Sequence, residues 1–316
     1  MKKVLIGFSL LLSIVVVGWI YLTYRFQEVY STQEKIGVSY MTLNNEFYQM
    51  VNSEIEKAVA LSGDKLYLRD PALNIDKQVQ QIEYFMDEKV DAIILNPVQS
   101  DHALLLKTLK RAKKQGIKLI VVDNQLSDSS VADSTIQSDN YQAGLLLSQE
   151  LKRQKSSANI LVLEHPNVLS TKERLRGFKD GLGDDEGYHI ISEQNGLGQT
   201  ELSMPLVSKV IKEGVTFDTI MAINDRSAIG ALAAVKKSGK SDVGIYSVDG
   251  SPDIKELLAT ESLVKASVYQ SPMTMGEKAI ATTYDLLNGK SVDKDIKVGV
   301  GLVTRTNLDQ YPVGWQ

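Results

Sequence analysis

The residues of this chain that could engage a ligand recur at one kind of place: the end of an apolar run, just before a helix-like pattern. Asn44-Asn45-Glu46-Phe47-Tyr48 follows Ile36–Met41. Asn96-Pro97-Val98-Gln99-Ser100-Asp101 follows Ala92–Leu95, and Asp123-Asn124-Gln125 follows Lys118–Val122. Ser138-Asp139-Asn140 follows Ile136, Asn224-Asp225-Arg226 follows Ile223, Asp249-Gly250-Ser251-Pro252 follows Val248, and Gln270-Ser271-Pro272 follows Tyr269. One Asp or Asn at such a place has an ordinary structural use, because its side-chain oxygen caps a helix or closes a turn. A series of them on converging loops has another. Planar amides, carboxylates and an arginine fork can hydrogen-bond vicinal hydroxyls in pairs. Phe47 and Tyr48 admit two readings: rings stacked on the apolar face of a sugar, or a hydrophobic staple at a helix start.

Other chemistries find little support. There is no G-x-S-x-G, H-E-x-x-H or P-loop pattern. His102, His165 and His189 are scattered without ligand-like spacing, so no metal site is expected. Gly196-Leu197-Gly198 lacks the third glycine of a dinucleotide fingerprint, and no cofactor is expected. Asp184-Asp185-Glu186 reads as a solvated turn. The formal net charge of -4 argues against a nucleic-acid-binding body, which carries a basic face. The absence of cysteine excludes disulfides, thiolate-ligated metal and a lipidated N-terminal Cys.

The elements that must position these residues follow from periodicity. Strand-like runs are Ile36–Met41, Lys65–Leu68, Ala92–Leu95, Lys118–Val122, Asn159–Leu163, His189–Ile191, Thr219–Ala222, Val243–Ser247 and Val264–Tyr269. Helical patterns run from Val51 to Leu61 and from caps at Asn74, Ser100, Asp139, Asp225 and Ser271, with Gly116 and Gly239 as left-handed stops. Strand–helix alternation predicts an α/β fold with parallel sheets covered by helices on both faces. With 316 residues and this many units, two similar lobes are expected rather than one sheet. In open parallel sheets ligands bind beyond the carboxyl ends of the strands, which is where the polar loops lie.

The N-terminus carries a separate message. After Met1-Lys2-Lys3, Val4 to Tyr24 contains no charged residue, and Trp19, Tyr21 and Tyr24 cluster at its far end. That is close to the ~20 apolar residues of a spanning helix, with an aromatic belt and no small-residue cleavage site after it. The expectation is an uncleaved single-pass anchor, N-terminus in the cytoplasm and body outside, followed by a polar spacer, Arg25 to Lys35.

Taken in order, "TLNNEFYQM", "IILNPVQSD", "VVDNQ", "SDNYQAG", "KERLRGF", "AINDRSAIGA", "SVDGSPD" and "VYQSPMTMG" resemble the ribose-type, sugar-binding branch of the type I periplasmic binding proteins, across about Lys35 to Lys297. The resemblance implies two α/β lobes joined by three crossing segments, closing like a hinge on a ligand in the cleft. It carries ligand-binding roles onto Asn45, Phe47 and Tyr48, onto Asp123, and onto Arg174 of the R-x-x-G-F pattern. It does the same for Asn224, Asp249 and Gln270. Two positions depart from the family. Asn124 stands where an Arg commonly follows the Asp, and Leu197 stands where an aromatic wall is common, which turns the expectation away from ribose itself toward another monosaccharide or a non-sugar polyol.

The implied division is a membrane anchor over 1–24, a spacer over 25–34, lobe 1 over 35–137 plus 271–298, and lobe 2 over 138–270 plus 299–316. The expected function is a membrane-tethered extracytoplasmic solute-binding protein that performs no chemistry and presents its closed form to an ABC permease or a sensor histidine kinase. The alternatives are a lac-repressor-type ligand-responsive protein without a DNA-binding domain, a receptor for a non-sugar polyol or signal molecule, and a glycosidase using Asp123 and Asp249.

Overall fold

The computed structural model of the protein describes residues 11–23 and 33–316. Helix α1 covers residues 11–23, and its Leu11, Ile14, Val17, Trp19 and Ile20 side chains are exposed. Among the described residues no helix is long and apolar enough to cross a membrane. The rest of the expected anchor, residues 4–10 and Tyr24, lies outside the described residues, as does most of the spacer.

Two six-stranded sheets follow. The first comprises β1 (Lys35–Ser39), β2 (Lys65–Arg69), β3 (Ala92–Leu95), β4 (Lys118–Val122), β5 (Ser134–Ser138) and β11 (Asp295–Val298), in the order β11-β5-β4-β3-β1-β2. The second comprises β6 (Ala158–Glu164), β7 (Tyr188–Asn195), β8 (Thr219–Ala222), β9 (Gly244–Asp249), β10 (Val264–Tyr269) and β12 (Gly301–Thr304), in the order β12-β10-β9-β8-β6-β7. The central strands β3, β8 and β9 are buried along their whole length, which is why they read as continuous apolar runs rather than alternating ones. The two halves repeat one plan, as the α/β alternation predicts.

Two features depart from the parallel expectation. Strand β12 pairs antiparallel to β10, closing the second sheet with a reversed edge. Strands β5, β11 and β12 are absent from the runs expected from the sequence; β5 (STIQS) and β11 (DIKV) are mostly polar and carry no continuous apolar run. The chain crosses between sheets from β5 to β6, from β10 to β11 and from β11 to β12.

The helices are α2 (Glu46–Ser62), α3 (Ile75–Asp87), α4 (Ala103–Lys114), α5 (Asn140–Gln154), α6 (Leu169–Leu182), α7 (Thr200–Lys212), α8 (Asp225–Ser238), α9 (Pro252–Thr260) and α10 (Pro272–Leu287). Asn74, Asp139 and Ser251 cap through their side chains, and Gly239 closes α8 at φ +76°. Two expected caps are corrected. Helix α4 is capped by His102 rather than Ser100, whose Oγ instead accepts the Leu169 amide at 2.9 Å from the other lobe. Helix α8 is capped by Asn224, not Asp225, because the asparagine oxygen accepts from the Ser227 amide.

Helices α5 and α6 pack with their backbones in near contact. A Cβ on Gly144 would stand 2.0 Å from the Arg174 carbonyl oxygen, and one on Gly177 would stand 2.0 Å from that of Tyr141. Only glycine permits this approach, and it fixes where α6 carries Arg174.

Candidate functional site

The carboxyl ends of both sheets meet across a cleft. The loops after β1, β4, β6, β7, β8 and β10 line a small cavity of about 40 Å³, partly open to solvent. Lobe 1 contributes Asn45, Phe47, Tyr48, Asp123 and Asn124; lobe 2 contributes Arg174, Leu197, Asn224 and Gln270. Nine of the ten residues singled out in the sequence therefore line one cavity, from both of its sides.

The tenth, Asp249, is not in the lining. Its Oδ1 turns toward the Gln270 amide nitrogen at 2.7 Å and the Arg174 guanidinium at 3.6 Å, so it stands directly behind them. Arg174 is 4% exposed and tied on two sides: Nε donates to Asn140 Oδ1 and Nη1 to the Ile223 carbonyl, both at 2.8 Å. A fork held this way presents its remaining donor, Nη2, in a fixed direction.

On the facing wall, Asp123 Oδ2 accepts from Tyr48 Oη at 3.1 Å and from Asn96 Nδ2 at 3.3 Å. Asn96 also accepts the Met41 amide at 3.1 Å and donates to the Val122 carbonyl at 3.0 Å, so one buried amide ties the exits of β1, β3 and β4 together. Asp123 Oδ1 and Gln270 Oε1 are both buried without a hydrogen-bond partner. Buried acceptors are normally paired, and two orphans facing one cleft from opposite sides mark where donors from a ligand would fit.

Backbone strain gathers here as well. Of the six described non-glycine residues with positive φ, three are Asp123 (66°), Leu197 (49°) and Asp249 (134°). Such conformations persist where the surrounding structure over-determines them.

Burial dominates the electrostatics. It pushes the Asp249 carboxyl up to about 8, helped by the charge of Asp225 and opposed by Arg174. It raises Asp123 too, against the guanidinium of Arg174 and the donors from Tyr48 and Asn96. Asp225 is raised by its burial while Ser247, Ser267 and the Ser251 amide donate to it. It is a structural anchor under the β9 and β10 exits.

The structure refines several individual readings. Asn45 and Asn224 line the cavity, yet each spends its Oδ1 on a helix cap, and Asn224 Nδ2 donates to the Gly198 carbonyl at 3.0 Å. Asn124 Oδ1 accepts from Ser170 Oγ across the cleft. Phe47 meets Tyr48 edge-on at 5.5 Å and Trp315 at 5.8 Å, while Tyr40 stacks on Tyr48 at 5.8 Å.

The sequence reading missed His165, Ser170, Thr171 and Gln199, all in the lining. His165 had a usable signal: it lies just past β6, at the same kind of strand exit as the other lining residues. Burial pushes its imidazole down to about 4, so it is neutral at pH 7.

Contacts across the cleft hold the lobes together. The Ser100 amide donates to the Asn167 carbonyl at 3.0 Å, Leu169 donates to Ser100 Oγ, and Val168 packs into the lobe 1 core. The C-terminal tail also spans the lobes: Lys255 Nζ donates to the Pro312 carbonyl at 2.7 Å, while Trp315 reaches Phe47.

Comparison with known proteins agrees with this geometry. A family model described as periplasmic binding protein domain matches residues 36–291. A putative rhizopine-binding protein of Rhizobium meliloti is 28% identical over 88% of this chain and 92% of its own length. The ribose import binding protein RbsB of Bacillus subtilis is 27% identical over 85% of this chain and 87% of its own. An ABC transporter solute binding protein from Bacillus halodurans, solved with bound myo-inositol, superposes with a TM-score of 0.82 at 25% identity, covering 89% of this chain and 98% of that one. With the two-sheet topology, the cleft and a family match over most of its length, the chain belongs to the periplasmic binding proteins of type I, in their ribose-type branch.

Proposed function

We propose that the protein is an extracytoplasmic solute-binding protein for a monosaccharide or a closely related polyol, acting by closure of its two lobes and catalysing nothing. The observation that carries this reading is the cleft: donors and acceptors from both lobes converge on one cavity, and Asp123 Oδ1 and Gln270 Oε1 are buried there without partners. Asp123, Arg174 and Gln270 are the hydroxyl-binding groups in this reading, with Asp249 holding the last two in place. Phe47 and Tyr48 supply the ring surface, Asn45 and Asn224 offer what their capping roles leave free, and Asn124 and Leu197 shape specificity. The lobes divide near 138, 270 and 299, where the chain crosses between sheets, and those crossings are the hinge.

The uncharged stretch Val4 to Tyr24 supports a membrane tether, and the exposed apolar side chains of α1 are consistent with it. The relatives named for import point to an ABC permease as the partner that reads the closed form. A tether without a lipid-site cysteine favours a second partner, the outer domain of a sensor histidine kinase.

The test is a thermal-shift screen of the full chain in detergent against pentoses, hexoses and cyclitols, with Arg174→Ala alongside. A ligand at a hundred times its dissociation constant adds about 2.7 kcal/mol to the folded state. A raised midpoint with one compound, absent in Arg174→Ala, supports the proposal; no shift across the panel contradicts it.

A further inference from the structure

The charged groups of the cleft do not balance. Two carboxylates, Asp123 and Asp249, face a single guanidinium, Arg174, and all three are buried. Arg174 is largely committed: Nε to Asn140, Nη1 to the Ile223 carbonyl, and its charge lies against Asp249 at 3.6 Å. Among the described residues no other cation lines the cavity, because His165 is neutral and the residue beside Asp123 is the amide Asn124. Behind the wall, Asp225 adds a third buried carboxylate. Tyr48 faces Asp123 as a neutral donor.

The unpaired atoms lean the same way. Asp123 Oδ1 and Gln270 Oε1 are both acceptors, and both are buried without partners. The Gln270 amide nitrogen donates to Asp249 Oδ1 at 2.7 Å, which leaves its Oε1 as a free acceptor. A cleft with two buried carboxyls to one guanidinium and a free acceptor on each side suits an ammonium group, which has three donors and no acceptor.

The geometry points to a ligand that carries a protonated amine, an amino-deoxy sugar or polyol, with the ammonium seated against Asp123. This rests on the saccharide-binding reading above and names its ligand class. A hydroxyl could also donate to Asp123, but it would leave the buried charge excess in place. The ammonium supplies both the donors and the missing charge. Burial raises the carboxyls of both Asp123 and Asp249, against the pull of Arg174.

The experiment is isothermal titration calorimetry of the full chain in detergent at pH 6.5 with matched series. These are D-glucose, 2-amino-2-deoxy-D-glucose and its N-acetyl form; the corresponding D-galactose series; and myo-inositol with an amino-deoxy-inositol and its N-acetyl form. The expected result is that in at least one series the free amine binds tenfold or more tighter than both the parent alcohol and the N-acetyl compound, and that Asp123→Asn removes this preference. Equal or tighter binding of the neutral parent in every series that binds overturns the amine assignment and leaves the saccharide reading standing. Binding by no compound in any series overturns both. A preference that survives in Asp123→Asn overturns the seat. Should that variant fail to fold, the wild-type contrast between the amine and the parent alcohol decides, because an ammonium and a hydroxyl are nearly the same size and differ in charge.

Discussion

Substituting Gly144 by alanine should damage both the stability of the protein and its cleft. The new Cβ would stand 2.0 Å from the Arg174 carbonyl oxygen and 2.6 Å from the Phe178 amide nitrogen. A carbon and a carbonyl oxygen rest at roughly 3.3 Å, so α5 and α6 must part by about 3.3 − 2.0 = 1.3 Å. Both obstacles are backbone, and neither can rotate away as a side chain would. Alanine regains up to about 1 kcal/mol of helix propensity, whereas overpacking costs about 1–3 kcal/mol and here falls at or beyond the upper end. The net expectation is a loss of about 2 kcal/mol. The same displacement moves α6 away from Asn140 on α5, breaking the 2.8 Å bond that aims the Arg174 fork. Affinity for whichever compound stabilises the wild type should therefore fall more than tenfold, about 1.4 kcal/mol. Urea denaturation of the ligand-free protein and calorimetric titration measure the two effects separately. Gly314→Ala is the control, because nothing lies within 4 Å of a Cβ there and it should stay within about 0.5 kcal/mol of wild type. If Gly144→Ala matches that control and binds ligand normally, the close approach of α5 and α6 does not position Arg174.

Tyr48→Phe removes the hydroxyl that donates to Asp123 at 3.1 Å and leaves that carboxylate oxygen to Asn96 alone. A loss of about 1–2 kcal/mol is expected in urea, and an unchanged midpoint would contradict the bond. Ser170→Ala frees the Asn124 amide and removes one link between the lobes, so ligand affinity should fall several-fold while ligand-free stability barely changes; a large stability loss with unaltered affinity would reverse that assignment. The stability of the empty protein should fall as pH rises from about 6.5 to about 8. Asp249 is raised to about 8 when folded and sits near 3.9 unfolded, so the folded state holds the extra proton and its stabilisation is lost as pH climbs through the folded value. His165, lowered to about 4, acts with the opposite sign, but only between about 4 and 6.5, which leaves the higher window to the buried carboxyls, Asp249 together with Asp123 and Asp225, which burial raises in the same direction. Asp249→Asn should flatten the decline, and an equally steep slope in that variant would refute the attribution.

Much of the fold and most of the cleft wall could be read from residue patterns, for identifiable reasons. Strands such as Ala92–Leu95 and Thr219–Ala222 are buried on both faces, so their composition announces them. The carboxyl-end rule then directs attention to the loops that do line the cavity. Patterns fail where tertiary contacts decide. Strand β11 is half-exposed and polar and exists only as a partner for β5. Ser100 has the composition of a helix cap, but its hydroxyl serves Leu169 in the other lobe, a partner 69 residues away. The cap of α8 falls on Asn224 rather than Asp225, whose carboxylate is taken up by three donors from β9, β10 and the turn after β9. His165 was overlooked because a lone histidine has no pattern, although its place after β6 was sufficient to find it.

Closure of the two lobes on a small ligand is the claim on which the rest depends. The native chain contains no cysteine, so two can be introduced without background labelling. Asn44→Cys and Glu201→Cys place dyes on exposed positions beside the cleft, one on each lobe. Energy transfer between them is then followed in the full chain during titration with myo-inositol and with the compound that gives the largest thermal shift. A saturable rise in transfer, abolished by Arg174→Ala, is the predicted result. Calorimetric saturation with no change in the distance between the dyes would contradict it.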